Sequence, residues 1–251
     1  AYQKDHSGEF ELISNGIKDE TDTANQIRIV EQMIVSRVNA LVIAPADSKA
    51  MVPVIKKAVD AGITVINIDN QLDPAVVKSK NINVPFVGPD NRKGAQLVGE
   101  YLAKKLKAGD EVGIIEGVST TTNAQQRTAG FKDAMEAAQI KVVSVQSGDW
   151  EINKGNQVAS SMLSEYPNIK ALLAGNDSMA VGAVSAVRAA QVACGKCQAG
   201  HADPREVVGV AEHPGLLVFL DELADADVAE GVDGRAAYIR KTRVTAEFLV
   251  A

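Results

Sequence analysis

Five side chains that could bind a ligand follow predicted β-strands, and they are Asp69, Asn70, Arg127, Trp150 and Asn176. Carboxylate and amide groups bond vicinal hydroxyls, and an arginine presents a rigid fork of donors to oxygen atoms. An indole covers the apolar face of a ring. Because ligands of doubly wound sheets bind at the carboxyl ends of the strands, the pattern predicts a site for a neutral polyhydroxylated ligand.

Each of these residues also has a purely structural interpretation. Asp69 and Asn70 could end a strand, and Trp150 could belong to the core. Asn176 could cap a helix, although the neighbouring Asp177 fits that role as well. Arg127 could be a solvated helix arginine, but a cation in the first turn opposes the helix dipole, which favours a specific partner.

The elements that would position these residues alternate along the chain. Short aliphatic runs predict strands at 9–13, 40–44, 64–68, 111–116, 141–145 and 171–174. Between them, amphipathic spacing predicts helices at 22–37, 48–61, 92–107, 124–138, 152–166 and 178–190. The continuously apolar runs are typical of parallel strands covered on both faces. This repetition predicts an α/β fold with two doubly wound, Rossmann-like lobes and a ligand cleft between them.

Helix starts carry their own signals. We expect Asp22 or Thr23 to cap the first predicted helix, Ser48 to cap the second and Asp177 or Ser178 to cap the last. The crossing between lobes is predicted near residue 88, where two prolines and a glycine interrupt the chain, so lobe one spans 1–88 and lobe two spans 89–190. Asp90 and Asn91 are the predicted hinge residues.

Lobe one is predicted to lack its first strand, because residues 1–6 resemble the end of a helix. In a doubly wound order that strand would lie between strands 9–13 and 40–44. We therefore expect a gap between those two strands, which a tail segment such as 216–220 could fill. Without such a segment, lobe one would be poorly supported.

Residues 191–251 differ in composition from the rest of the chain, with no asparagine and a single isoleucine, and the alternation of strands and helices fades in this tail. It holds both cysteines and two of the three histidines, namely Cys194, Cys197, His201 and His213. These are the ligand types of a zinc site, but one C-x-x-C with irregular histidine spacing is a weak signal. A local disulfide or no function are the alternatives, and we predict no metal.

Composition excludes several classes of protein. With 251 residues, 46% hydrophobic and 23% charged, the chain is expected to be a soluble globular protein. A formal net charge of −6 argues against a nucleic-acid partner. The dinucleotide, phosphate-loop and nucleophile-elbow motifs are absent, so we predict a binding protein without a cofactor and not an enzyme.

Several segments together resemble one family, and they are Ala44-Pro45-Ala46-Asp47-Ser48, Ile68-Asp69-Asn70-Gln71, Val87-Gly88-Pro89-Asp90-Asn91, Gln126-Arg127-Thr128-Ala129-Gly130-Phe131 and Ala174-Gly175-Asn176-Asp177-Ser178-Met179. They resemble the periplasmic sugar-binding proteins of bacterial ABC importers, of the ribose-binding type. The resemblance covers about residues 1–190. It implies a periplasmic protein, expected to be a monomer, that closes on a monosaccharide or sugar alcohol and delivers it to a membrane permease.

The resemblance also implies roles for single residues. Asp69, Arg127 and Asn176 would hydrogen-bond the sugar, with Trp150 stacked on it. Asn70 stands where many ribose binders have arginine, which leaves another pentose, a hexose or a sugar alcohol open beside ribose. Two other functions remain: the effector domain of a sugar-responsive repressor, or an inactive truncated or frameshifted product.

Overall fold

Two parallel β-sheets with helices packed against them organise the chain in the computed structural model, which describes residues 8–194 and 217–220. The strands are β1 (Ala40–Ile43), β2 (Thr64–Ile68), β3 (Phe86–Val87), β4 (Glu111–Glu116), β5 (Lys141–Ser147), β6 (Ile169–Ala174) and β7 (Leu217–Leu220). The helices are α1 (Thr23–Val35), α2 (Val52–Asp60), α3 (Pro74–Ser79), α4 (Asn91–Ala103), α5 (Thr122–Ala137), α6 (Ile152–Glu165) and α7 (Asp177–Cys194).

The strand order is that of two separate open sheets. In lobe one the order is β1-β2-β3, and in lobe two it is β5-β4-β6-β7. Every neighbouring pair is parallel, with Ala40 opposite Thr64 in the first sheet and Glu111 opposite both Lys141 and Ile169 in the second. Parallel neighbours need crossover connections, which the intervening helices provide. The predicted α/β fold with two lobes is confirmed.

The sheet of lobe two is buried on both faces. One core cluster joins it to α4 and α5 through Leu102, Phe131 and Met135. A second cluster joins it to α6 and α7 and includes Met162 and Met179. The strand β4 is accordingly buried at four consecutive positions. The expectation of parallel strands covered on both faces holds for this lobe.

Lobe one is covered differently. Its single core cluster lies against α2 and includes Leu41, Ile43 and Val65. The strand β1 alternates between exposed and buried residues, and Val42 on its other face is 49% exposed. Within the described part of the chain, this sheet therefore buries one face rather than both.

The predicted strand at 9–13 is wrong. Those residues have no regular structure, and Leu12 is 63% exposed. The aliphatic run is too local a signal to form a strand, because a strand needs a hydrogen-bonding neighbour. The tail segment is a strand, β7, but it pairs with β6 in lobe two and does not enter lobe one.

The observed helix starts agree with the predictions only in part. Asp22 caps α1 as expected, accepting from the backbone N–H of Asn25. Ser48 does not cap α2, which begins only at Val52 with a proline in its first turn. The short helix α3 was not predicted, because six residues are too few to show a helical period, although Asp73 caps it.

Predictions for the tail fall largely outside the described residues. Cys194 ends α7, whereas Cys197, His201 and His213 lie beyond the described ranges. Among residues 8–194 and 217–220, no group of three or more metal-binding side chains occurs. No helix in the same ranges has the length and apolar character that crossing a bilayer requires.

We predict that Asn67→Ala destabilises lobe one. The side chain is 1% exposed, donates to the carbonyls of Ile43 and Asn70, and accepts from the backbone N–H of Leu72 at 2.7 Å. Its loss leaves buried backbone groups without partners, which costs about 2 kcal/mol. Urea unfolding measures this change. The exposed Asn15→Ala serves as control, and equal free energies of unfolding for the two variants would contradict the prediction.

Candidate functional site

Asp69 leaves the carboxyl end of β2 in a left-handed backbone conformation. Its φ is +59°, a region that non-glycine residues rarely occupy. Its backbone N–H donates to the carbonyl of Val87 at 3.1 Å, so the last hydrogen bond of the β2–β3 pair holds this conformation. The side chain is exposed at the predicted position, at the carboxyl edge of the first sheet.

Asn70 lies next to Asp69 but is only 4% exposed. Its Nδ2 donates to the carbonyl of Pro45 at 2.6 Å. Its Oδ1 accepts from the hydroxyl of Ser48 at 3.3 Å and from the backbone N–H of Asn123 at 3.2 Å. The predicted ligand residue is thus bonded to protein atoms of both lobes.

Arg127 lies on α5, is half-buried, and is held by hydrogen bonds to two neighbouring residues. Its Nε donates to Oδ1 of Asn91 at 2.8 Å, and its Nη1 donates to the carbonyl of Gly175 at 2.6 Å. Asn91, a predicted hinge residue, therefore orients the guanidinium, whereas Asp90 caps α4 by accepting from the backbone N–H of Lys93. The fork of Arg127 is held in one direction at the carboxyl edge of β6.

Trp150 follows β5 and packs into lobe two. It is 8% exposed and belongs to the core cluster between the sheet, α6 and α7. Its φ of +66° follows a φ of +50° at Asp149, so two successive residues adopt the left-handed conformation. The guanidinium of Arg127 lies 5.6 Å from the ring centroid, within cation–π range. Among the described residues, the buried indole Nε1 has no acceptor.

The indole occupies a slot that only glycine permits. A Cβ atom at Gly117 would lie 2.0 Å from an indole carbon, and one at Gly175 would lie 3.2 Å from another. These glycines follow β4 and β6 directly. The ends of these neighbouring strands therefore accommodate the ring by lacking side chains. The contact of Gly117 and Gly175 with Trp150 could not be predicted from the sequence, because the residues next to either glycine give no indication of it.

The turn that carries Trp150 is held by the carboxylate of Asp149. This carboxylate accepts from the hydroxyl of Ser147 and from the ammonium group of Lys154. Burial alone would raise the pKa of Asp149, but the hydrogen bonds from Lys154 and Ser147 outweigh it and lower that pKa. The ionised form is therefore the one that stabilises the turn at neutral pH.

Asn176 caps α7 and also contacts the Trp150 turn. Its Oδ1 accepts from the backbone N–H of Met179 at 2.9 Å, and its Nδ2 donates to the carbonyl of Trp150 at 3.3 Å. Asp177, the expected cap, is the first residue of the helix instead. The cap lies one residue earlier than predicted because the strand ends directly before Gly175.

Glu20 is a residue that the sequence analysis missed. The removal of water from its carboxyl group and the charge of Asp69 raise its pKa, as Glu151 does more weakly, while Arg127 acts in the opposite direction. The charges of residues from both lobes, namely Asp69, Arg127 and Glu151, therefore act on one carboxylate, although Glu20 as a residue is exposed. Glu20 precedes α1 in a loop without a motif, so no sequence signal could have identified it.

Only some of the five predicted ligand residues contact one another. Arg127, Trp150 and Asn176 form one bonded group at the carboxyl edge of the second sheet. The charges of Asp69 in lobe one and Arg127 in lobe two both act on the carboxylate of Glu20. A separate cavity of about 310 Å³ in lobe one is lined in part by Gln71 and Phe86, and none of the five predicted ligand residues lines it.

We predict that Gly117→Ala displaces the indole of Trp150. The added methyl group would overlap the ring, which overpacks the slot at a cost of about 1–3 kcal/mol or more. Because the chain has a single tryptophan, its fluorescence reports this ring alone, and the emission should shift to longer wavelength. Gly175→Ala, with the looser 3.2 Å contact, is the matched control. Identical spectra for both variants would refute the slot.

We predict that Glu20→Gln stabilises the chain in a pH-dependent way. A raised pKa means that the folded state favours the protonated form, so ionisation costs stability as the pH rises through the folded-state pKa. The variant should match the parent chain at acidic pH and melt at a higher temperature at pH 7. Melting curves across this range measure the difference. The exposed Glu11→Gln is the control, and a pH-independent difference for Glu20→Gln would contradict the assignment.

Comparison with known proteins agrees with this geometry. A family model described as a periplasmic binding protein domain matches residues 2–216. The chain is 68% identical over 232 residues to the D-ribose/D-allose-binding protein of Pseudomonas aeruginosa, covering 92% of this chain and 73% of that protein. It is 29% identical to the ribose import binding protein RbsB of Escherichia coli, covering 92% of this chain and 76% of that protein.

Solved structures show the same relationship. An ABC transporter solute binding protein from Burkholderia multivorans, with an unknown ligand assigned as α-D-erythrofuranose, is 79% identical with a TM-score of 0.74, covering 76% of this chain and 67% of that one. A periplasmic solute binding protein from Actinobacillus succinogenes with bound D-allose is 32% identical with a TM-score of 0.64, covering 78% and 63% respectively. The resemblance inferred from the motifs is confirmed, and the chain belongs to the periplasmic binding protein domain family.

Proposed function

We propose that this chain is the sugar-binding component of an ABC importer. It takes a monosaccharide in the cleft between its lobes, either a ribose-like pentose or an allose-like hexose, and presents the closed form to a membrane permease in the periplasm. The names of the relatives support both sugars, since the Pseudomonas aeruginosa protein is named for ribose and allose and the Actinobacillus succinogenes protein holds D-allose.

The observation that carries the proposal is the convergence of polar groups from both lobes. Asp69 is exposed at the carboxyl edge of the sheet of lobe one, where its carboxylate can accept from vicinal hydroxyls. Arg127 lies at the carboxyl edge of the sheet of lobe two, with its guanidinium oriented by Asn91 and by the carbonyl of Gly175, and the charges of both residues act on Glu20. Since a sugar offers both donors and acceptors, a carboxylate and a guanidinium on opposite walls can bond it only when both lobes approach.

Trp150 and Asn176 complete the wall of lobe two. The guanidinium of Arg127 lies over the indole of Trp150, and the proposal assigns this ring the stacking role that suits the C–H face of a sugar. Asn176 bonds the Trp150 carbonyl and so holds the turn that carries the ring. The amide of Asn70 is bonded to Pro45, Ser48 and Asn123, and the proposal assigns it no sugar contact. No chemical step is assigned, and the chain acts as a monomer that binds and releases.

Closure follows from this division of the site. A ligand that contacts both walls has a higher affinity for the closed arrangement and shifts the equilibrium towards it. The permease can then distinguish loaded from empty protein by shape. The hinge assigned to Asp90 and Asn91 suits this motion, because Asn91 joins the start of α4 to the sugar-binding guanidinium.

Calorimetric titration with D-ribose, D-allose and myo-inositol tests the proposal. We expect heat of binding with D-ribose, D-allose or both, accompanied by a change in Trp150 fluorescence. Asp69→Ala should weaken binding by about 10- to 100-fold, because hydrogen bonds to a charged group contribute about 1.5–3 kcal/mol. The exposed Asp60→Ala, also in lobe one, is the matched control. A folded chain that binds neither D-ribose nor D-allose, or an Asp69→Ala variant with unchanged affinity, would overturn the proposal.

A further inference from the structure

The first two backbone N–H groups of the helix α5 have no acceptor in the neighbouring chain segment, although the third, that of Ala124, donates to Oδ1 of Asn123. The residue at its N-cap position, Thr121, makes no side-chain bond to the helix, and its hydroxyl donates backwards to the carbonyl of Val118 at 2.6 Å. The first backbone N–H groups of any helix need acceptors from outside the helix. The first N–H groups of α5 lie against lobe one. Water does not reach this end of the helix, because Thr121 is only 1% exposed.

Two side chains of lobe one supply the missing acceptors. Ser48 Oγ accepts from the backbone N–H of Thr122 at 2.8 Å, and Asn70 Oδ1 accepts from the backbone N–H of Asn123 at 3.2 Å. The hydroxyl of Thr122 also donates to Ser48 Oγ at 2.9 Å. Lobe one thus performs across the cleft the function that a serine or asparagine normally performs at the start of its own helix.

The acceptors are held in place and shielded from water. Ser48 is 2% exposed and Asn70 is 4% exposed. Ser48 Oγ donates to Asn70 Oδ1 at 3.3 Å, and Asn70 Nδ2 donates to the carbonyl of Pro45 at 2.6 Å. Backbone bonds continue the contact, since the N–H of Ser48 donates to the carbonyl of Thr120. Separating the lobes would break these bonds together and leave the backbone N–H groups of Thr122 and Asn123 without these acceptors, whereas the N–H of Ala124 keeps Oδ1 of Asn123.

We propose that Ser48 and Asn70 form a closure latch, a cap in trans on α5 that stabilises the closed arrangement of the lobes, and that Asn70 acts on sugar affinity through closure without touching the sugar. This inference rests on the proposed function for its effect on affinity but not for the latch itself. Apparent affinity falls in proportion to the fraction of closed protein, so loss of the latch weakens every sugar by the same factor. A residue in contact with the ligand would instead discriminate between sugars.

Two measurements on Ser48→Ala and Asn70→Ala test the latch. Small-angle scattering of the sugar-free chain should show a larger radius of gyration for both variants than for the parent. Titration should show about tenfold weaker binding of D-ribose and D-allose, by equal factors for the two sugars. Ser48→Thr keeps the hydroxyl and should restore both values. Ser119→Ala removes an exposed hydroxyl from the same turn and is the matched control.

The outcomes separate the latch from the proposed function. An unchanged radius of gyration in Ser48→Ala, or a loss in Asn70→Ala that differs strongly between the two sugars, overturns the latch. If the parent chain binds neither sugar, the proposed function fails while the scattering comparison still decides the latch. Should Ser48→Ala fail to fold, Thr122→Val removes one bond of the same contact from the lobe-two side, and its radius of gyration is compared in the same way.

Discussion

The contact between the first turn of α5 and lobe one governs how the two walls of the site face each other. The backbone N–H groups of Thr122 and Asn123 donate to the side chains of Ser48 and Asn70. Asp69 precedes Asn70 directly, and Arg127 lies about one turn after Asn123, so both charged residues are close in the chain to this contact. A helix N-terminus is a fixed set of donors, and its need for acceptors constrains position and direction more strongly than apolar packing does.

Backbone strain recurs where side chains leave the strands. Asp69, Asp149 and Trp150 all have positive φ values, and each follows the carboxyl end of a strand. Such conformations cost about 1–3 kcal/mol each and persist only where surrounding bonds determine them. The carbonyl of Val87 does so for Asp69, and Asn176 does so for the Trp150 turn. The strained turns redirect the chain at the point where these strands end.

The order of elements was predictable because parallel strands and amphipathic helices leave local signals. Apolar runs located β4 and β6 correctly, and Asp22 marked the start of α1. Prediction from local sequence was wrong where strand formation depends on a neighbouring strand. Residues 9–13 have a strand-like composition but no paired neighbour, and β7 joined lobe two because β6 offered an edge. Serine is a residue type that often caps helices, but the helix whose N–H group donates to Ser48 is α5, in the other lobe.

From sequence alone, the α/β fold, the family and the polar residues at the strand ends could be inferred, because each depends on neighbours in the chain or on short motifs. Only the tertiary structure decided which of those polar groups already have partners. Ser48 and Thr122 are 74 positions apart, and the indole of Trp150 fits beside Gly117 only because β4 and β5 are neighbours. Hydrogen-bond satisfaction and steric fit depend on distances of a few tenths of an ångström, which exist only once the sheets and helices are packed.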